Sequence, residues 1–305
     1  MSANSHISIC VCTFKRPHLL ERLLDKLKDQ VTEGRFSYSA VVVDNDLEQS
    51  GREAVARAKA KSGIQIDYDV EPERSISLAR NRSVSNARGE LVAFIDDDEF
   101  PDDHWLIHHL KVLLASQADG VLGPVKPHFD GDSPAWLVKS GLLERSSLKT
   151  GQVIPDSSYT RTGNVLIWKR VFDEGLFDPR YGRSGGGDAV FFKRMMEKGK
   201  TFVWCNEACV YESVPVERQR RMYYIKRAFT RGMAEAWETR FFSLGTLRSA
   251  VAIVLYTSAL PFLLLLGQHL FMRYLVKNCD HLAKLLAYLR ITLVAERPYH
   301  RAGTN

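Results

Sequence analysis

Four acidic side chains, Asp96-Asp97-Asp98-Glu99, follow directly on the apolar run Leu91-Val92-Ala93-Phe94-Ile95. Carboxylates packed that closely repel one another and cannot all stay ionised in a partly buried site without a cation. Oxygen ligands of this kind suit Mg²⁺ or Mn²⁺, and Mg²⁺ commonly takes one or two carboxylates together with the phosphates of a substrate. The apolar run reads as a strand. The cluster then falls at a carboxyl edge of a sheet, where ligands of open α/β folds bind. The competing account is a solvated acidic turn, with Asp102 and Asp103 capping the helix that follows. A second candidate is Asp188, which comes after Gly185-Gly186-Gly187 at the start of a helical pattern. It is either a general base or an N-cap.

The elements that must position these groups alternate between strand and helix. Ile7–Cys12 reads as a strand, and Pro17 opens a helix with Leu19, Leu20, Leu23, Leu24 and Leu27 on its apolar face. Strands follow at Ala40–Val43, Ile64–Val70 and Leu91–Ile95, with helices at Gly51–Lys61, Ser75–Arg88 (closed by Gly89) and Asp103–Ser116. This order implies an α/β fold with a mostly parallel sheet flanked by helices. Val121–Val125 reads as one more strand. Phe129–Thr162 is a long loop rich in Pro, Gly and Ser. Val165–Trp168, Thr201–Trp204 and Ala208–Tyr211 read as short strands, Lys169–Glu174 as a short helix, and Ala189–Lys198 as a longer one.

Beyond Pro215 the character changes, so the expected division is a catalytic domain over 1–213 and a helical region over 214–305. Residues 1–213 carry 28 Lys and Arg against 31 Asp and Glu, whereas residues 214–305 carry 14 against 5. A basic tail can face nucleic acid or an anionic membrane. The apolar run Ala250–Gly267 in that tail selects the membrane, so no nucleic-acid partner is expected. Glu217–Arg231 reads as a basic helix for headgroups. Pro261 should kink or break the apolar run, and Arg240 and Arg248 before it balance Arg273 and Lys277 after it. A shallow hairpin entering and leaving on the cytoplasmic face reconciles these features. The last helix is expected over about Arg273–Leu293. The five cysteines have no disulfide or zinc spacing; Cys10 and Cys12 read as small buried hydrophobes of one strand face, as in a reducing cytoplasm. Met1 to His6 is polar, unlike a signal peptide.

Taken together, the motifs resemble those of family 2 glycosyltransferases, which have the GT-A fold. Ile9-Cys10-Val11-Cys12-Thr13-Phe14-Lys15-Arg16-Pro17 resembles their opening strand and turn, and Val41-Val42-Val43-Asp44-Asn45 their second nucleotide-contacting strand end. Ala79-Arg80-Asn81 resembles the step before the metal motif, Phe94 to Glu99 the D-x-D element, and Ser184 to Asp188 the segment carrying the catalytic base. The resemblance covers about residues 6–213 and is nearest the bacterial succinoglycan-type exopolysaccharide enzymes.

It implies an inverting, metal-dependent enzyme of hexosyltransferase type. Such an enzyme moves a single sugar from a nucleoside diphosphate sugar to a glycan or lipid-linked oligosaccharide acceptor at the cytoplasmic face of the inner membrane. UDP is favoured by family habit and by Asp44, which could accept from a uracil imide. In that frame Asp98, with Asp96, holds Mn²⁺ or Mg²⁺, and Asp188 is the base. Thr13, Arg16, Asp44, Arg80, Asn81, Asp96 and Asp97 contact the donor, although turn chemistry serves Thr13 and Asn81 equally well. Gly163, Asn164, Trp136 and Gly187 fall near the transferred sugar or acceptor, with a core role equally open for Trp136.

Two departures from the family pattern stand out. Gly187 replaces the Glu that often precedes the catalytic Asp, and Tyr211-Glu212 stands where a metal-binding His is common, which makes Glu212 a possible ligand. Gln219 is followed by Arg220, Arg221, Met222 and Tyr223 rather than by a processive Q-x-x-R-W signature. Two other functions compete. A sugar-nucleotide pyrophosphorylase would want a glycine-rich turn, and Cys12–Pro17 contains no Gly. A non-catalytic membrane scaffold retaining the fold would not need both Asp98 and Asp188.

Overall fold

A computed structural model describes residues 5–183, 185–238, 243–289 and residue 291. Ser184, Arg240, Phe241, Phe242 and the expected end of the last helix at Leu293 lie outside the described residues. The chain divides into two compact units. The first takes its described residues from 5–126 and 145–212, the second from 127–144 and 213–291. The sequence places one break near 213; the structure adds 127–144 to the second unit.

The first unit is built on a seven-stranded sheet. Its strands are β1 (Ser5–Thr13), β2 (Phe36–Asp44), β3 (Gln65–Val70), β4 (Leu91–Phe94), β6 (Gly120–Leu122), β8 (Val165–Trp168) and β9 (Phe202–Trp204), in the order β3-β2-β1-β4-β8-β6-β9. β1, β2, β3 and β4 run parallel, as do β6 and β9, while β8 lies antiparallel between β4 and β6. The sheet is therefore mixed. The helices are α1 (Pro17–Leu27), α2 (Arg52–Lys61), α3 (Ile76–Asn86), α4 (Trp105–Ser116) and α6 (Gly187–Glu197).

Period-two alternation sends β1 side chains to two separate cores. Ile7, Ile9 and Val11 join the core under α1 and α4, and Cys10 joins the opposite one, with Cys12 packed against it. Burial pushes both thiols up, Cys10 to about 12, so they serve as small hydrophobes. In α1, Pro17 occupies the first turn and Leu20, Leu23, Leu24 and Leu27 are fully buried. Each such leucine stabilises the fold by roughly 1.5–3 kcal/mol.

Several expectations change. The single strand expected over Val121–Val125 is two: β6 ends at Leu122, and β7 (Val125–His128) belongs to a separate three-stranded sheet ordered β5-β10-β7. Pro124 offers no ladder N–H. A Cβ at Gly123 would meet the Ala208 carbonyl at 2.5 Å, so the chain turns where only glycine fits. The acidic turn ends in β5 (Glu99–Pro101), which pairs antiparallel with β10 (Val210–Ser213) and sets Glu99 opposite Glu212. α4 starts at Trp105, with His104 at its N-cap and no side-chain cap, so Asp102 and Asp103 do not cap it. α3 ends at Asn86, and Gly89 serves a close passage instead, since its Cβ would lie 2.1 Å from the His6 carbonyl.

The second unit is helical. A cluster of Leu137, Tyr224, Ala228, Met272, Val276 and Cys279 joins α5 (Ala135–Ser140), α7 (Arg221–Glu238) and α9 (Gln268–Tyr288). The long loop thus contains α5, whose Leu137 draws 127–144 into this unit. At Gly232 a Cβ would sit 2.1 Å from the Asp280 carbonyl, so α7 and α9 cross closely, and Arg231 pairs with Asp280 beside the crossing. α8 (Leu244–Leu266) has 23 residues, mean hydropathy 2.1 and 6% of its apolar window buried. It starts six residues before the expected Ala250 and passes Pro261 without ending; Gly267 alone separates it from α9. Its length is about 35 Å at 1.5 Å per residue.

Candidate active site

Neighbouring parallel strands end side by side, and this brings the acidic run to the turn after β1. Asp96 and Glu99 close their turn reciprocally: the Glu99 N–H donates to the Asp96 carbonyl at 3.1 Å, and the Asp96 N–H to Glu99 Oε2 at 3.1 Å. Buried Thr13 donates its hydroxyl to Asp97 Oδ2 at 2.7 Å. Arg16 Nη1 donates to Asp97 Oδ1 at 3.1 Å and to Asp98 Oδ2 at 3.0 Å. Arg80 reaches from α3, with Nη2 3.9 Å from Asp96 Oδ1 and its guanidinium 5.6 Å from the Phe177 ring centre.

The electrostatics of the cluster follow from crowding and burial. Desolvation raises Asp96 to about 6, opposed by Arg80 and reinforced by Asp98, Asp97 and Asp188. Nearly half of the Asp96 side-chain surface, 46%, still reaches solvent. Desolvation raises Asp97 to about 6 as well, with Thr13 and Arg16 pulling down. Glu99 is pushed well up, first by burial and then by Asp96, with Asp98 and Glu212 adding to it.

Asp188 stands in the first turn of α6, behind Gly186 (φ 79°) at the N-cap. It is therefore not the N-cap itself; its Oδ1 accepts only the adjacent Ala189 N–H, at 3.0 Å. Its charge is among those acting on Asp96. Gly187 is buried, and a Cβ there would press on Ser77 Oγ and Tyr181 Cβ, both at 3.2 Å. A glutamate would need its neighbours to give way.

Three predicted contact residues are occupied by the fold. Asp44 is fully buried and accepts from Gly51 N (2.7 Å), Tyr68 OH (2.9 Å) and Asp46 N (3.1 Å). Asn81 clamps Phe177 through both backbone groups, at 2.8 and 2.9 Å, which is the turn-locking role. Asn164 is completely buried: Oδ1 accepts from Trp105 at 2.8 Å and lies 2.7 Å from His109 Nε2, and Nδ2 donates to the carbonyls of Pro124 and Ala208. Its four hydrogen-bonding positions are all used. Gly163 lies against Glu99, since a Cβ there would fall 2.5 Å from Oε1. Trp136 belongs to the second unit, edge-on to Tyr224 and under the Arg221 guanidinium. Glu212 is taken by Arg145 at 2.5 Å. Arg161, which no sequence signal marks, also falls among these charges, with Glu99, Asp188 and Glu212 acting on it.

Among the described residues, no three His, Cys, Asp or Glu side chains converge as a metal group. The donor set nevertheless fits a hard divalent cation. Asp96 and Asp98 are mutually repelling oxygen donors, and such an ion fills its remaining positions from water and a substrate's phosphates.

Comparison with known proteins agrees with this fold. Residues 8–176 match the model of Glycosyl transferase family 2. The Succinoglycan biosynthesis protein ExoM of Rhizobium meliloti (strain 1021) is 34% identical over 234 residues, covering 74% of this chain and 73% of that one. The mannosyltransferase PcManGT from Pyrobaculum calidifontis, solved in complex with GDP-Man and Mn²⁺, superposes with TM-score 0.57 at 17% identity, over 98% of this chain and 78% of that one. TarS 1-349 of S. aureus, solved with UDP-GlcNAc, gives TM-score 0.55 at 14% identity over 93% and 92%. The first unit has the GT-A fold, and the chain belongs to glycosyltransferase family 2.

Proposed function

We propose that this glycosyltransferase is inverting and divalent-metal dependent, and that it adds a single sugar from a nucleoside diphosphate sugar, UDP being favoured, to a glycan or lipid-linked acceptor in polysaccharide biosynthesis. The observation that carries this reading is the acidic run gathered by Thr13 and Arg16 at the ends of β1 and β4, with the charge of Asp188 acting on Asp96. The similarity to a succinoglycan biosynthesis protein supports the polysaccharide setting. Neighbours solved with GDP-Man and Mn²⁺ and with UDP-GlcNAc support a nucleotide-sugar donor and a metal.

In this mechanism Asp96 and Asp98 would hold Mn²⁺ or Mg²⁺, and the ion would supply positive charge against that developing on the leaving diphosphate. Arg16 orders Asp97 and Asp98, and its cation, like that of Arg80, attracts the donor's phosphates. Thr13 fixes Asp97, and Asp44 with Tyr68 shapes the turn on the nucleotide side. Asp188 takes the proton from the acceptor hydroxyl as its oxygen attacks the anomeric carbon. Gly187 leaves the approach to Asp188 without the family carboxylate, and Gly163 brings the backbone close to the sugar.

The apolar α8, together with the basic residues of α7, attaches the enzyme to the cytoplasmic face of the inner membrane. The test is nucleotide release by the full-length protein in detergent, across UDP, GDP and dTDP sugars, with Mn²⁺ or EDTA. Release that requires Mn²⁺ and one nucleotide supports the reading. Release indifferent to EDTA removes the metal from it, and recovery in the soluble fraction without detergent removes the membrane.

A further inference from the structure

Arg161 differs from other arginines of the first unit. Arg16 holds Asp97 and Asp98, Arg145 holds Glu212, and Arg82 holds Asp69 and Glu71. The Arg161 Nε is shut off from solvent without a hydrogen-bond partner, and its guanidinium makes no hydrogen bond or ion pair with any described residue. Burial, with repulsion from Arg145, lowers its pKa to about 10, while Glu99, Asp188 and Glu212 act in the other direction. Arginine remains a cation at neutral pH under these conditions.

Arg161 is half-buried, and a shielded Nε–H without an acceptor is unfavourable unless something completes it. The backbone that follows Arg161 is fixed. Thr162, Gly163 and Asn164 after it are buried, Asn164 is anchored through four contacts, and Gly163 is wedged against Glu99. A planar fork of donors without a protein partner matches a phosphate or carboxylate.

We propose that Arg161 binds an anionic oxygen group of the substrates, phosphate or carboxylate, beside Asp188. This rests on the glycosyltransferase reading and extends it to the charge of what is bound. Two parts of the substrates carry such a group: the donor diphosphate, and an acidic sugar in the acceptor. The surroundings favour the acceptor. Glu99, Asp188 and Glu212 act on Arg161, whereas Arg16 and Arg80 attend the Asp96 to Asp98 side.

The experiment uses the full-length protein in detergent with Mn²⁺, as wild type, Arg161→Met and Arg161→Lys. Calorimetry measures UDP binding, with GDP and dTDP in parallel. It then measures methyl glucuronide against methyl glucoside on the nucleotide-loaded protein. The expected result is unchanged nucleotide affinity in Arg161→Met, with wild-type preference for the glucuronide falling about tenfold or more, as for loss of a charge-assisted fork, and partly kept by Arg161→Lys. A tenfold loss of UDP affinity instead, again partly kept by Arg161→Lys, assigns the group to the diphosphate and upholds the anion site. Unchanged values for both probes overturn it. So does a lowered Tm with parallel losses for both sugars, because an unpaired cation that serves a ligand is not needed for folding. Wild-type protein that binds no nucleotide defeats the parent reading, and this inference with it.

Discussion

β2 and β4 run parallel to the same neighbour, and both deliver carboxylates to the same edge of the sheet. Their ends are built differently. At β2, Asp44 is fully buried and receives three donors, from Gly51, Tyr68 and Asp46. At β4, the nearest cation to Asp96 is Arg80 at 3.9 Å, and one arginine, Arg16, is shared between Asp97 and Asp98. A carboxylate supplied with donors closes a turn. Carboxylates crowded together repel one another, and burial first, then that crowding, raises Asp96 and Asp97 to about 6. Acidic residues at a strand end therefore do not define a site; the donors around them do.

The contrast can be broken most directly at Asp98. Asp98→Ala removes a proposed ligand from the β4 end, and a metal's charge stabilisation is worth several kcal/mol, so turnover should fall about 10³-fold. Turnover and metal-dependent nucleotide binding are the measurements, and a normal Tm should show that the fold survives. Asp188→Asn keeps the side chain's size but not its basicity. Nucleotide binding should persist while kcat drops by about 10²-fold or more. A near-normal kcat would leave Asp188 without a role in the reaction.

The matching change at β2 should affect stability instead. Asp44→Ala leaves the Gly51 N–H and the Tyr68 hydroxyl without their acceptor, which should cost about 3 kcal/mol. Thermal unfolding would then shift down by roughly 6–12 °C. Turnover assayed well below the transition should stay within about tenfold of wild type, whereas a loss as deep as that of Asp98→Ala would erase the distinction between the two strand ends.

A smaller, pH-dependent effect tests the anchor beneath Gly163. His109 is fully buried, and desolvation lowers its pKa from 6.5 to about 4, opposed by its contact with Asn164. The unfolded chain binds this proton from about pH 6.5 downward and the folded chain only near 4. Stability is therefore lost as pH falls through that window, by up to on the order of 3 kcal/mol. His109→Gln can still donate to Asn164 and should flatten the acid limb of Tm against pH between 7 and 4.5. An unchanged limb would mean that other groups dominate acid unfolding.

Much of this was legible in the chain. The leucines at 20, 23, 24 and 27 repeat at helical spacing and are the buried face of α1. The alternation that puts Cys10 and Cys12 on one face follows from a period of two. The acidic run, the glycines before Asp188 and the apolar stretch within α8 are likewise local, because each is a property of neighbouring residues.

What was not legible depends on partners far away in sequence. The antiparallel placement of β8 between β4 and β6 is a matter of strand pairing across many residues. The break at Gly123-Pro124 depends on the Ala208 carbonyl and on Asn164, and α5 joins the second unit because Leu137 finds α7 and α9. By itself the sequence determined which chemistry-bearing residues exist, in what order, and on which elements, since propensity and periodicity act over a few residues. Only the tertiary structure decided which of them are already partnered. Asn164 is saturated and Asp44 enclosed, while Arg161 is unpaired, because donors, acceptors and burial come from segments that meet only when the sheet assembles.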